Sequence, residues 1–127
     1  MPLVKIGQKG IVVSPGKHLE LEGMPIVEEQ INITVATTET ATLKPYGSTS
    51  ITTTGGASGT ITLPDGTQVG QQKLVVLTSD GGDASLSVTN HVTSSPEVFT
   101  AAEATDAILF VWNGTAWATA ANSGWTT

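Results

Sequence analysis

Short apolar runs alternate with serine, threonine and glycine along most of the chain, and no long stretch places apolar residues at a helical spacing. The stretch "LVVLTSDGGDASLSV" (residues 74–88) is typical, with two apolar runs about a pair of glycines. Read as a hairpin turning at Gly81-Gly82, it sets Asp80 opposite Asp83, Leu77 opposite Leu86 and Val75 opposite Val88. Those four aliphatics then share a face, with Ser85, Ser87 and Thr89 on the other. Leu74 to Leu77 is apolar on both faces, so a second layer is expected against it.

A second hairpin is predicted in "AILFVWNGTAW", because Asn-Gly supplies the positive φ angles that a tight two-residue turn needs. This register faces Trp112 with Thr115, Val111 with Ala116, and Phe110 with Trp117. It gathers Ile108, Phe110, Trp112 and Trp117 on one side and leaves a thin alanine side on the other. "TLPDGT" is a third turn, with Pro64 pre-setting φ and Gly66 closing it. "TAAEATDAILF" offers at most one turn of helix, at Ala101 to Ala104.

The pattern therefore predicts an all-β protein: an antiparallel β-sandwich or roll of short strands joined by tight Gly/Asp/Asn turns. Residues 1–45 hold four of the five lysines and four of the six prolines, and are read as an extended N-terminal segment of strands or an arm. Residues 46–127 are read as the compact β-domain.

Composition narrows the function. The 127 residues suit one domain. With no cysteine there is no disulfide, thiolate nucleophile or cysteine-held metal. The formal charge is −6 and there is no arginine, the usual reader of phosphates and base edges, so nucleic-acid binding is not expected. No apolar run reaches the roughly 18–20 residues that cross a bilayer, so no membrane association is expected. "MPLVKIGQKG" lacks an apolar signal core, so export is not expected either.

Each candidate for chemistry has a plainer reading beside it. Asp80 and Asp83 carry ligands suited to calcium, but Asp-Gly pairs are also what tight turns require, and turn punctuation is preferred. His18 and His91 lack a serine in a nucleophile-elbow context, so no catalytic residue and no cofactor is assigned. Trp112 and Trp117 fall on an apolar face and read as core. Trp125, in the tail "NSGWTT", is left to cover a core edge or to touch a partner.

Four elements in order carry a resemblance: Leu63 to Thr67 (L-P-D-G-T), Gly70 to Lys73 (G-Q-x-K), Asp80 to Asp83 (D-G-G-D) and Asn113 to Trp117 (N-G-T-x-W). Together, over about residues 58–120, they resemble a β-domain of structural proteins of tailed bacteriophages, marine and cyanobacterial ones especially. The resemblance implies a virion component with no catalytic residues. Its first form is a capsid decoration (cement) protein, a homotrimer made in the host cytoplasm that binds the major capsid protein on the outer head surface. The alternative is a tail-fibre or receptor-binding module that contacts host glycans. Residues 1–23 contain Lys5, Lys9 and Lys17 among short apolar runs that include Leu3 and Ile11. They offer strand edges and positive charge to an acidic shell, or they form ordinary strands of the same domain. Leu3, Lys5, Lys9, Ile11, Lys17 and Trp125 are thus the candidate partner contacts.

Overall fold

Wherever an apolar residue recurs at every second position the chain is extended. The computed structural model describes residues 30–127 and the backbone of two strands before them, β1 (Val4–Gly7) and β2 (Gly10–Val13). β1 and β2 pair antiparallel with each other. There follow β3 (Gln30–Ala36), β4 (Ala41–Thr42), β5 (Gly47–Thr54), β6 (Thr60–Leu63), β7 (Gln72–Ser79) and β8 (Ala84–Val88). β9 (Glu97–Ala101), β10 (Ala107–Trp112) and β11 (Trp117–Ser123) complete the chain, and there is no helix among the described residues.

The strands form a five-stranded sheet in the order β11-β10-β7-β5-β3 and a four-stranded sheet in the order β4-β6-β8-β9. The expectation of antiparallel sheets is corrected, because both are mixed. β3, β5 and β7 run parallel, as do β4, β6 and β8; β9, β10 and β11 are antiparallel to their neighbours. The chain crosses from the larger sheet to the smaller after β3, β5 and β7, so three passes of the same path stack on one another.

The Asp80–Asp83 turn accordingly joins two sheets and is not a hairpin. β7 pairs with β5 and β10, whereas β8 pairs with β6 and β9. Val75, Leu77, Leu86 and Val88 still meet in one core, but from opposite walls. The glycines serve the stacking of one connection on the next. A Cβ on Gly81 would strike the Thr53 carbonyl, and one on Gly82 would strike the backbone of Gly56. Hydrogen bonds run between the connections themselves: Gly81 N to Thr53 O (3.0 Å), Ser58 N to Asp83 O (2.9 Å) and Thr38 N to Ala57 O (3.0 Å). Asp80 accepts from Gly82 N at 2.9 Å, the local turn bond that aspartate is chosen for.

The Asn113-Gly114 turn is a hairpin, with its register moved by two residues. Trp112 faces Trp117 and Val111 faces Ala118 across a loop of residues 113–116. The Asn113 side-chain oxygen accepts from the N–H groups of Thr115 and Ala116, both at 2.9 Å, so the asparagine closes a longer loop than the dipeptide suggested. From Trp112 to Phe110 a shift of two keeps the strand residues on their expected faces, and a bulge between Leu109 and Phe110 then sets Leu109 opposite Ala121. Ile108, Phe110, Trp112 and Trp117 are all buried. Ala101 ends β9, and Ala102 to Asp106 form a turn, not a helix, because the Asp106 carboxylate accepts from Ala102 N and Glu103 N.

The core lies between the two sheets and has an aromatic end. Phe99, Phe110, Trp117 and Trp112 meet edge to face in sequence, with ring centroids 5.3–6.4 Å apart. The compact region begins earlier than residue 46: β3 and β4 pair within the sheets, and Val35 and Leu43 are core residues.

Candidate functional site

Of the expected partner contacts, Leu3, Lys9 and Lys17 lie outside the described residues. Lys5 and Ile11 fall on the β1–β2 pair, opposite Val12 and Ile6 respectively, and their side chains lie outside the described residues. Trp125 is placed, and its side chain is buried within the core, 3% exposed. Asn122 holds the tail back on itself, accepting from Trp125 N at 3.0 Å and donating to Trp125 O at 2.8 Å. Thr126 exchanges two backbone hydrogen bonds with Thr100 of the other sheet. The indole therefore closes a core edge, where apolar area is removed from water.

Lys73 is a residue whose role the sequence reading missed. It is fully buried, on the same face of β7 as Val75 and Leu77. Its ammonium donates to Thr49 Oγ1 at 2.7 Å and to Tyr46 O at 3.0 Å, tying β7 to the start of β5. The lysine of the G-Q-x-K element is thus a structural tie. Its phase with Val75 and Leu77 was the available signal.

One end of the molecule brings together elements far apart in sequence. Trp117 Nε1 donates to Pro64 O at 2.8 Å, and a Cβ on Gly66 would strike the Trp112 ring. The 64–71 connection is held from within by Gln71, whose side-chain oxygen accepts from Thr67 N at 2.8 Å and Gln68 N at 3.1 Å. The Gln71 side-chain amide also donates to Pro45 O, and Trp112 bonds both Gly70 and Gln71 through the backbone. On this braced end Val69, beside Gly114, is 77% exposed, and Val92, whose N–H donates to Trp117 O, is 54% exposed. Exposed aliphatics on a pre-ordered loop are suited to contact with a protein, since little freedom is left to lose. The outer face of the four-stranded sheet differs, with Thr60, Thr62, Ser85, Ser87 and Thr100 beside a lone Val98.

The described residues include no group of three or more His, Asp and Glu able to hold a metal ion. His91 sits at the aromatic end, 7% exposed, with its ring edge to face with Phe99 and Phe110. His91 Nδ1 lies 2.7 Å from Thr93 Oγ1, which donates to Glu97 at 2.7 Å, and the Thr93 N–H donates to the same ring nitrogen at 3.3 Å. Nε2 lies within hydrogen-bond distance of Thr119 Oγ1, at 3.0 Å. Burial lowers the imidazole pKa below its ordinary 6.5, opposed by the nearby Glu97 charge. Below 6.5 the unfolded chain takes up a proton that the folded chain refuses, so this contribution to stability is complete above 6.5 and declines as pH falls below it. Urea unfolding between pH 7.5 and 5.5 is expected to show that decline, and His91→Phe is expected to flatten it. An equal slope in the variant would assign the decline to other groups.

Neither the protein-family models nor the curated proteins include one that matches this chain.

Proposed function

We propose that this protein is a non-catalytic structural component of a tailed-bacteriophage virion, a capsid decoration protein that binds the outer head surface and stabilises the shell. The observation that carries the reading is the ordered series L-P-D-G-T, G-Q-x-K, D-G-G-D and N-G-T-x-W in residues 63–117. What supports it is that these elements are joints and not scattered turns. The first and last meet at the Pro64–Trp117 bond, the lysine of the second ties β7 to β5, and the third stacks on the connection before it. A cross-braced β-protein with few charges and a pre-ordered contact end is suited to static service on a shell. The capsid protein is its partner, reached through the N-terminal segment with Lys5, Lys9 and Lys17. The fibre reading loses its named glycan contact, since the Trp125 ring is buried.

The test is to add purified protein to heads that lack it, then to measure retention on the heads and resistance of the heads to heat. Binding with a raised disruption temperature is expected, and Lys5, Lys9 and Lys17 changed together to Glu should weaken it at least tenfold. No head binding, with saturable glycan binding instead, would replace this reading with the fibre module.

A further inference from the structure

The chain holds four asparagines, Asn32, Asn90, Asn113 and Asn122, and only Asn113 precedes a glycine. Asparagine is a thermally labile residue, because the backbone nitrogen that follows it can attack its side-chain amide carbon. A side chain on the following residue hinders that approach, and glycine has none. Asn113-Gly114 is therefore the reactive pair of this sequence. Asn113, Gly114 and Thr115 are all exposed to the water that the reaction consumes.

The chemistry needs only the chain and water. Gly114 N attacks Asn113 Cγ, the Cγ–Nδ2 bond breaks, and the side-chain nitrogen leaves as ammonia with the proton of Gly114 N. The product is a five-membered cyclic imide, and water then adds to one of its two carbonyls. Opening at Cγ leaves aspartate on an unchanged backbone. Opening at the backbone carbonyl leaves isoaspartate, with one extra methylene in the main chain.

The fold opposes the first step. Asn113 Oδ1 accepts from Thr115 N and Ala116 N, both at 2.9 Å, and Asn113 N donates to Ala116 O at 3.0 Å. Attack on Cγ needs the amide plane turned across the path of Gly114 N, and ring closure fixes χ1 and ψ of Asn113 together. An amide pinned through its oxygen to two N–H groups must give them up to make that turn. The loop cannot drift as a unit either. Its ends are the buried Trp112 and Trp117, paired across the hairpin, and Trp112 O is tied to Gly70 N at 2.8 Å.

We propose that Asn113-Gly114 is a latent deamidation site, guarded by the two hydrogen bonds to Asn113 Oδ1 and converted only when the 113–116 loop opens. The two products differ in effect. Aspartate keeps an accepting oxygen in the same place, so the loop survives with one more negative charge. Isoaspartate lengthens the backbone between Trp112 and Trp117 and displaces the closing bond to Ala116 O. Val69 lies beside Gly114, so that lengthening reaches the exposed aliphatics of the braced end.

Peptide mass spectrometry on the full chain at about pH 8 and 37 °C, in buffer and in unfolding urea, tests this. In urea Asn113 is expected to convert before Asn32, Asn90 and Asn122. Folded, it should convert at least about tenfold more slowly than unfolded, since reaction waits on local opening. Thr115→Pro removes one donor and leaves the Asn-Gly pair, and should quicken conversion of the folded chain. Should that variant fail to fold, urea below the unfolding transition gives a second readout on the wild type. Conversion and amide exchange at Thr115 and Ala116 should then rise together. Another asparagine converting first in urea overturns the proposal, as do equal rates in the folded and unfolded wild type. So does a folded proline variant that converts no faster, or conversion that rises while those two amides stay protected. Asn113→Asp should keep the wild-type thermal midpoint, whereas the separated isoaspartyl form should melt lower. An isoaspartyl form as stable as the wild type would overturn the effect assigned to the longer backbone.

Discussion

Gly82→Ala is expected to destabilise the protein by about 3 kcal/mol or more, because its Cβ has nowhere to go. It would fall inside contact distance of the Gly56 carbonyl and 2.5 Å from Ala57 N, all of it backbone. A side chain in the way could rotate; a stacked connection has to separate. Separation would strain the bonds on either side, Gly81 N to Thr53 O and Ser58 N to Asp83 O. At about 4 °C per kcal/mol for a chain of this length, the thermal midpoint should fall by more than about 10 °C. Gly70→Ala is the comparison. That glycine has open space around it but a φ of +88°, so its cost is only the left-handed penalty of about 1–2 kcal/mol. Thermal unfolding of both variants, followed by circular dichroism, checks the order. A Gly82→Ala midpoint no lower than that of Gly70→Ala would mean that the connections do not stack as described.

That glycine pair also marks how far the sequence could be read. Period-two alternation decides which residues face inward, and Val75, Leu77, Leu86, Val88, Ile108, Phe110 and Trp112 all do. It does not decide which strand lies alongside. Asp-Gly-Gly-Asp between two alternating runs is spelled the same way for a hairpin and for a crossing between sheets, since both bring the same aliphatics to one core. The choice rests on hydrogen bonds to Thr53 and Ser58, residues 25 or more positions away, and local pattern carries no record of them. The hairpin at Asn113 was legible for the opposite reason, because its partners are adjacent. Trp125 was left open between a core edge and a partner, and the burial of Lys73 was missed, because neither was weighed by its phase with buried neighbours. The expected contacts at Leu3, Lys5, Lys9, Ile11 and Lys17 were read from charge and composition alone, and their side chains lie outside the described residues.

Trp117→Ala is expected to cost about 3–5 kcal/mol, the range for deleting a large buried aromatic side chain. The ring is fully buried and touches Phe110 and Trp112 edge to face, so its loss opens a cavity where two sheets and three loops converge. The more discriminating comparison is with phenylalanine. Trp117 Nε1 donates to Pro64 O at 2.8 Å, whereas Trp125 Nε1 is buried with no hydrogen-bond partner among the described residues. Both Trp→Phe changes remove similar ring volume, but only Trp117→Phe also strips a carbonyl of its donor, worth about 1 kcal/mol more. Trp125→Phe removes an N–H whose burial was already unfavourable, which offsets part of its lost packing. Urea unfolding should therefore rank the variants Trp117→Ala lowest, then Trp117→Phe, then Trp125→Phe nearest the wild type. The 64–71 connection gives a second readout. With its tie to Pro64 gone, amide exchange at Thr67 to Gly70 should quicken in Trp117→Phe and stay unchanged in Trp125→Phe. Equal exchange in the two variants would mean that Gln71 and the Trp112 backbone hold the loop, and that Trp117 is only packed beneath it.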